Sequence, residues 1–234
     1  MPYTTRKSDF FSRDLPELEG LPLTGKLIVI EGADGSGRST QIRLLGRWLE
    51  SKGYAVNQVG IKRSNLAAEQ LTLAQKSNVM TNKTMALFYA TDLYDQIVNQ
   101  IIPSLNASAI VLADRYIYTL MARALVRGAK TDWMRNLYSP AIEPDAVFHF
   151  KVAPDQLLER YLNKTRSLDY WESGMDLGLS KDVFDSFLKY QGLIDEEFSK
   201  MAGPQGFETI DASRPVFAIQ KELRKKIKSM LTDS

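Results

Sequence analysis

The apolar run Leu27-Ile28-Val29-Ile30 is followed by a glycine-rich polar stretch and then by the helical pattern of Gln41 to Leu49, which predicts strand, loop and helix in succession. Gly53 closes that helix, and Tyr54 to Val59 reads as a second strand. After the polar loop Lys62-Arg63-Ser64-Asn65 comes a short helix through Leu66 to Lys76. From Thr81 to about Leu105, Met85, Phe88, Leu93, Ile97 and Ile101 recur at helical spacing before Pro103 disturbs the end; this long helix is expected to wall a second pocket. Ala109 to Ala113 is continuously apolar and ends in Asp114, the pattern of a strand buried on both faces. Two helices follow, about Thr119 to Arg127 and Thr131 to Ile142, then a strand over Ala146 to Val152 and a helix from Pro154 to Lys164. A helix from Lys181 to Met201, a strand at Phe207 to Ile210 and a helix from Pro215 to Met230 complete the alternation.

Strands alternating with helices predict an α/β fold: a doubly wound, parallel, five-stranded sheet with helices on both faces and right-handed crossovers. Two departures from the pattern delimit it. Residues 1–24, with Pro16 and Pro22 and no clear period, read as an N-terminal extension ahead of a domain over 25–234. Residues 165–180 carry two glycines and the adjacent aromatics Tyr170-Trp171, and read as a mobile excursion. Those aromatics either close over a nucleotide base or pack against the neighbouring helix.

Composition narrows the function classes. The 234 residues are 44% hydrophobic, enough for a sizeable core, and 30 basic against 28 acidic residues give no global field for nucleic acid or a membrane surface. No cysteine is present, so disulfides, thiolate zinc sites and cysteine nucleophiles drop out together. No apolar stretch approaches a membrane span, and the N-terminus has no apolar leader segment, so a soluble, cytoplasmic protein is expected. Phosphate chemistry must then come from local clusters.

The first such cluster is Gly32-Ala33-Asp34-Gly35-Ser36-Gly37-Arg38-Ser39-Thr40, between the first strand and its helix. It matches the phosphate-binding pattern G-x-x-x-x-G-K-[ST] at every fixed position except one, where Arg38 replaces lysine. Three glycines in six residues let the backbone turn its N–H groups inward, and the helix adds its positive end, making a nest for a di- or triphosphate. Ser39 is placed to ligate Mg²⁺, a hard cation that keeps water and phosphate oxygens in its shell. The second cluster is Asp114-Arg115-Tyr116 at the tip of the third strand, where open α/β sheets bind ligands. There Asp114 is a candidate for holding Mg²⁺ through water, and Arg115 for meeting phosphate oxygens.

Loop, long helix carrying Leu87-Phe88, Asp-Arg-Tyr after a buried strand, and an arginine-bearing excursion together resemble the thymidylate kinase family over about residues 25–230. The resemblance implies phosphoryl transfer from ATP, with Mg²⁺, to thymidine monophosphate, usually by a homodimer. It implies that Asp34 meets the acceptor sugar, Phe88 stacks on the base and Arg115 works near the acceptor phosphate. Gly35 is similar to the type of the family whose catalytic arginine comes from the lid, here about 165–180, so Arg160, Lys164 and Arg166 become candidates.

The chain also departs from that pattern. Asp92 stands where the family carries a base-reading arginine, and an ionised carboxylate cannot donate to a thymine carbonyl. Lys62 and Arg63 occupy the place of the family's Arg-Glu-Pro or Arg-Phe-Pro loop, and Ala124 or a neighbour the place of a glutamine. Arg38 keeps a positive charge but as a planar fork where lysine is a point charge. Two rival readings therefore stand beside the kinase: a nucleotide-binding paralogue with weak or no activity, and a kinase for another acceptor. The remaining conspicuous residues read as structural. His149, the single histidine, Trp48, Trp133 and the Phe184 and Phe187 pair are expected in the core, and Arg224, Lys225, Lys226 and Lys228 on a solvated helix face.

Overall fold

The computed structural model describes residues 23–76, 80–165, 168 and 170–232. All but the last two residues of the expected extension, and Arg166, lie outside them. Five strands form one parallel sheet in the order β2-β3-β1-β4-β5: β1 Lys26–Gly32, β2 Val56–Gly60, β3 Ile110–Asp114, β4 Ala146–Lys151 and β5 Glu208–Asp211. The doubly wound sheet expected from the alternation is therefore present. Its central strand β1 has no exposed side chain from Leu27 to Ile30, because helices cover both faces.

Alternation along β1 divides the core. Leu27 and Val29 join one layer with residues of α3 (Asn82–Gln96), α5 (Ile117–Val126), α6 (Thr131–Tyr138) and α8 (Val183–Ala202). Ile28 and Ile30 join the other, against Ile42, Leu45 and Leu49 of α1 (Arg38–Glu50) and Ile219, Leu223 and Ile227 of α9 (Val216–Thr232). Each fully buried aliphatic side chain of this kind contributes about 1.5–3 kcal/mol. The sheet's C-terminal edge thus holds Gly32, Gly60 and Asp114 close together, with Ile30 paired to Asp114 and Gly60 paired to Asp114.

Two expectations are adjusted. The stretch read as one helix from Thr81 to Leu105 is α3, a π turn over Ile97–Ile101 and α4 (Ile102–Asn106). Pro103 lacks an N–H to continue the α ladder, and the Ile102 N–H reaches back five residues to the Ile97 carbonyl. Of the aromatics assigned to the core, Phe187 is fully buried, but Phe184, in the first turn of α8, is 42% exposed. It lies three positions before Phe187, yet helix start places it beyond the layer that Phe187 enters. Helices α2 (Ala68–Lys76) and α7 (Pro154–Thr165) match the expected positions.

His149 is buried on β4 and stacks on Phe198, with centroids 4.6 Å apart and planes at 22°. Burial, outweighing the attraction of Asp195, pushes its pKa down to about 4. The unfolded chain binds a proton near pH 6.5 that the fold refuses, so stability should fall as pH drops from about 6.5 towards 4, by up to about 1.4 kcal/mol per unit. Urea midpoints of the protein and of His149→Phe over that window check this. The variant should lose that part of the slope, and an identical slope in both would assign it to carboxylates.

Candidate active site

Local sequence builds the loop first. Gly32 has φ +140°, and a Cβ there would lie 2.7 Å from the Phe150 carbonyl oxygen on β4. Gly37 caps α1 at φ +89°, so the chain leaves β1 and enters the helix through conformations that side chains rarely adopt. The candidates from Gly32 to Thr40 therefore sit as one turn at the sheet's C-terminal edge, facing the tip of β3.

The two sequence clusters meet there. Ser39 Oγ donates to Asp114 Oδ2 at 2.7 Å, and Arg38 Nε donates to Asp114 Oδ1 at 3.0 Å. Arg38 Nη1 donates to the carbonyls of Gly32, at 2.5 Å, and Ala33, and lies 3.3 Å from Ser36 Oγ. The buried guanidinium thus braces the loop's own backbone while pairing with the strand-tip acid. Arg63, half exposed, reaches Asp114 Oδ2 at 3.6 Å. Against the opposing effect of burial, Arg38 and the Ser39 hydroxyl hold the Asp114 carboxyl below its ordinary range.

Asp34 is the second focus of charge. Its carboxylate pairs with Arg115, accepts from Arg123 Nη2 at 3.1 Å and lies 3.8 Å from Arg38 Nη2. Burial favours its neutral form, but the three guanidiniums overcome that and keep it ionised. Lys62 and Arg115 have φ +60° and +68°, left-handed conformations that each cost about 1–3 kcal/mol outside glycine. Glu31, wholly buried at the end of β1, fixes the start of α5: it accepts from the Tyr116 N–H at 2.8 Å, the Thr119 N–H at 3.3 Å and the Thr119 hydroxyl at 2.5 Å. Burial raises its pKa against those bonds.

Beside these residues lies a cavity of about 350 Å³, lined among others by Lys62, Gln75, Tyr89, Arg115, Arg123 and Trp171. Its wall includes Met85, Ala86 and Tyr89 of α3, so the long helical stretch does border a second pocket. Part of the excursion forms its roof. Arg127 holds the roof in place, donating to Asp176 at 2.8 and 3.0 Å, to the Tyr190 hydroxyl at 2.6 Å and to the Trp171 carbonyl at 3.0 Å. Trp171 Nε1 donates to the Gln75 carbonyl at 3.2 Å, and the Trp171 ring also lies within 5.8 Å of the Arg127 guanidinium. Of the two readings of the aromatic pair, packing against neighbouring helices describes Trp171, which at the same time borders the cavity.

Other candidates sit apart. Phe88 is half-buried against the core and is not among the residues lining the cavity. Asp92, also outside that lining, is buried and accepts from the N–H groups of Lys62 at 2.8 Å and Ser64 at 3.0 Å. Its carboxylate shapes the loop after β2, and burial raises its pKa over those bonds. Arg160 donates to the carbonyls of Ala212 at 3.0 Å and Ser213 at 3.5 Å, bracing the loop after β5. Sequence reasoning missed Arg123, Arg127 and Glu31. The signal for the arginines was their four-residue spacing, one in the last turn of α5 and one at its C-cap.

The comparisons agree with this geometry. The family model described as thymidylate kinase matches residues 30–223. A probable thymidylate kinase 2 of Saccharolobus solfataricus is 36% identical over 91% of this chain and its own full length. The thymidylate kinase of Shouchella clausii is 30% identical over 88% of this chain and 96% of its own, and that of Bacillus pumilus 27% identical over 89% and 98%. With a glycine loop facing a strand-tip acid across a parallel sheet, and with relatives that match it nearly end to end, the chain belongs to the thymidylate kinase family.

Proposed function

We propose that the chain transfers the γ-phosphoryl group of ATP to the 5′-phosphate of thymidine monophosphate, forming thymidine diphosphate and ADP. The observation that carries this is the boundary shared by the two sites: Asp114 holds the loop hydroxyl Ser39, while its neighbour Arg115 lines the adjoining cavity. An acceptor phosphate oxygen bonds to the γ-phosphorus as the bond to the β,γ-bridging oxygen breaks, and ADP leaves. Such chemistry needs positioning and charge neutralisation rather than a protein nucleophile.

The residues suit Mg²⁺. The Ser39 hydroxyl and the Asp114 carboxylate are hard oxygen donors 2.7 Å apart. The described residues hold no group of three or more His, Cys, Asp or Glu that would cage a metal. That suits an ion taking one or two protein oxygens and completing its shell with phosphate and water. When bound, it neutralises charge on the β- and γ-phosphate oxygens. Amides from Gly32 to Thr40 cradle the donor, and Arg38 keeps the loop and Asp114 in register. Arg115 and Lys62 seat the acceptor phosphate, with Arg63 at the rim. Asp34 orients the sugar side, Asp92 sets the loop bearing Lys62, and Phe88 backs the α3 wall. Residues 165–180 act as a lid over a kinase domain of 25–234; Arg166, outside the described residues, and Arg160 are its candidate arginines. Closure of the roof excludes water as a competing acceptor.

No helix of the described residues is long and apolar enough to cross a membrane. Exposed Leu66, Leu87 and Tyr94 line a groove of about 420 Å³ with Leu137, and support a homodimer. One observation favours a second reading, a nucleotide-binding protein without turnover: Arg38 already spends its fork on the loop's own carbonyls. A screen of ADP release across nucleoside monophosphates, with calorimetry of ADP binding beside it, decides between them. Thymidine monophosphate should give the highest kcat/KM. ADP binding with no ADP release from any acceptor would establish the second reading, and a higher kcat/KM for another monophosphate would move the acceptor.

A further inference from the structure

Arg123 is unlike the other arginines around the cavity. Arg127, at the C-cap of α5, is fully engaged with Asp176, Tyr190 and Trp171. Arg38 is bound to Asp114 and the loop carbonyls. Arg123 donates to Asp34, and it shares that carboxylate with Arg115. The neighbouring cation Lys62 donates to the neutral Gln75 Oε1 at 2.8 Å. Five cations, Lys62, Lys76, Arg115, Arg123 and Arg127, line the cavity against the acid Glu172.

Buried charge of one sign is costly unless something neutralises it. Lys62, exposed at the rim, has its pKa lowered by partial desolvation and by Arg123, against the pull of Glu172. Arg115 Nε is buried and has no hydrogen-bond partner among the described residues. Two of the three non-glycine residues with left-handed φ among those described are Lys62 and Arg115 themselves. Strain held at the two cations that face the same space marks a place kept for a ligand rather than for packing. Asp34 and Glu172 leave Lys62, Arg115 and Arg123 with positive charge in excess, which an arriving phosphate dianion offsets.

We infer that Arg123 is a phosphate-binding residue of the acceptor site, completing with Lys62 and Arg115 a three-cation seat for the acceptor's 5′-phosphate. This rests on the kinase reading above for the identity of the acceptor, and extends it to a residue that the loop and strand-tip motifs do not contain. The seat draws one cation from the loop after β2, one from the tip of β3 and one from the last turn of α5, so it exists only in the folded chain. Asp34 is then a spacer that holds Arg115 and Arg123 apart, one on each carboxylate oxygen.

The test is calorimetric titration of the full chain and of Arg123→Met with thymidine monophosphate, thymidine and ADP. Removing a charge-assisted hydrogen bond to the phosphate should weaken binding of the monophosphate by about 10-fold or more. Thymidine and ADP should bind the variant within about three-fold of the unaltered chain, a margin well below that effect. Unchanged monophosphate binding would overturn the inference. So would an equal weakening for thymidine, which would make Arg123 a wall of the pocket, or an equal weakening for ADP, which would make it a brace of the Asp34 loop. If Arg123→Met does not fold, Arg123→Lys is measured instead, under the same criteria, since it keeps the charge but not the fork. If the unaltered chain binds a different nucleoside monophosphate, the acceptor named above fails, and the same comparison with that nucleotide and its nucleoside decides the role of Arg123. Binding of no monophosphate at all would overturn the seat.

Discussion

Asp114→Asn should lower kcat by about 10²-fold or more, the scale for removing one preorganised electrostatic interaction from a transition state. The substitution is nearly isosteric, so it isolates charge. Of the two oxygens that accept from the Ser39 hydroxyl and from Arg38 Nε, the amide keeps only one. The hydroxyl is then no longer turned by a carboxylate, and the site loses the negative charge that suits Mg²⁺. Stability should fall as well, because the Arg38 and Asp114 side chains are only 7% and 10% exposed. Breaking one partner of a buried pair costs about 3–5 kcal/mol, partly offset here by the carbonyls that Arg38 keeps. Turnover is therefore measured well below the variant's Tm, with Mg²⁺ and ATP saturating. Unchanged kcat alongside a lower Tm would reduce Asp114 to a structural partner of Arg38.

Arg38→Lys should lower turnover of thymidine monophosphate by about 10²-fold, the cost of misplacing the reacting groups by a loosened loop. A lysine at this position fits the general pattern of such loops, yet this loop has closed around a planar fork. Nε binds Asp114 and Nη1 binds the carbonyls of Gly32 and Ala33, an arrangement that spans three elements of the site. An ammonium is a single point with three donors and cannot bridge the strand-tip acid and both carbonyls at once. The buried carbonyls would be left short of a donor, so the loop should loosen and ADP binding weaken along with kcat. Steady-state kinetics and ADP calorimetry on the variant check this. A gain in turnover would mean that arginine impairs the loop, and would favour the reading without ordinary kinase activity.

How much of this was legible depends on how local the cause is. The run from Leu27 to Ile30, the three glycines after it and the helix pattern from Gln41 are adjacent in the chain, and periodicity alone orders them as strand, turn and helix. Asp114 was readable for the same reason, as a lone acid ending an apolar strand. Asp92 was not. Position suggested a role at the base, but the carboxylate faces amides of Lys62 and Ser64, about 30 residues away, and helical periodicity carries no information about that loop's path. Phe184 and Phe187 show the same limit, since equal hydrophobicity at helical spacing does not say where the covering layer ends.

By itself the sequence determined the parallel α/β order, the phosphate loop with its arginine, and the strand-tip acid, because each is written in neighbouring residues whose backbone preferences and periods act locally. Only the tertiary structure decided which charges meet. Asp34 and Arg123 are 89 residues apart, Arg127 and Asp176 are 49 apart, and each pair forms because the sheet and α5 bring distant segments together. Ion pairing depends on distance in space and on desolvation, and neither is fixed until the core has packed.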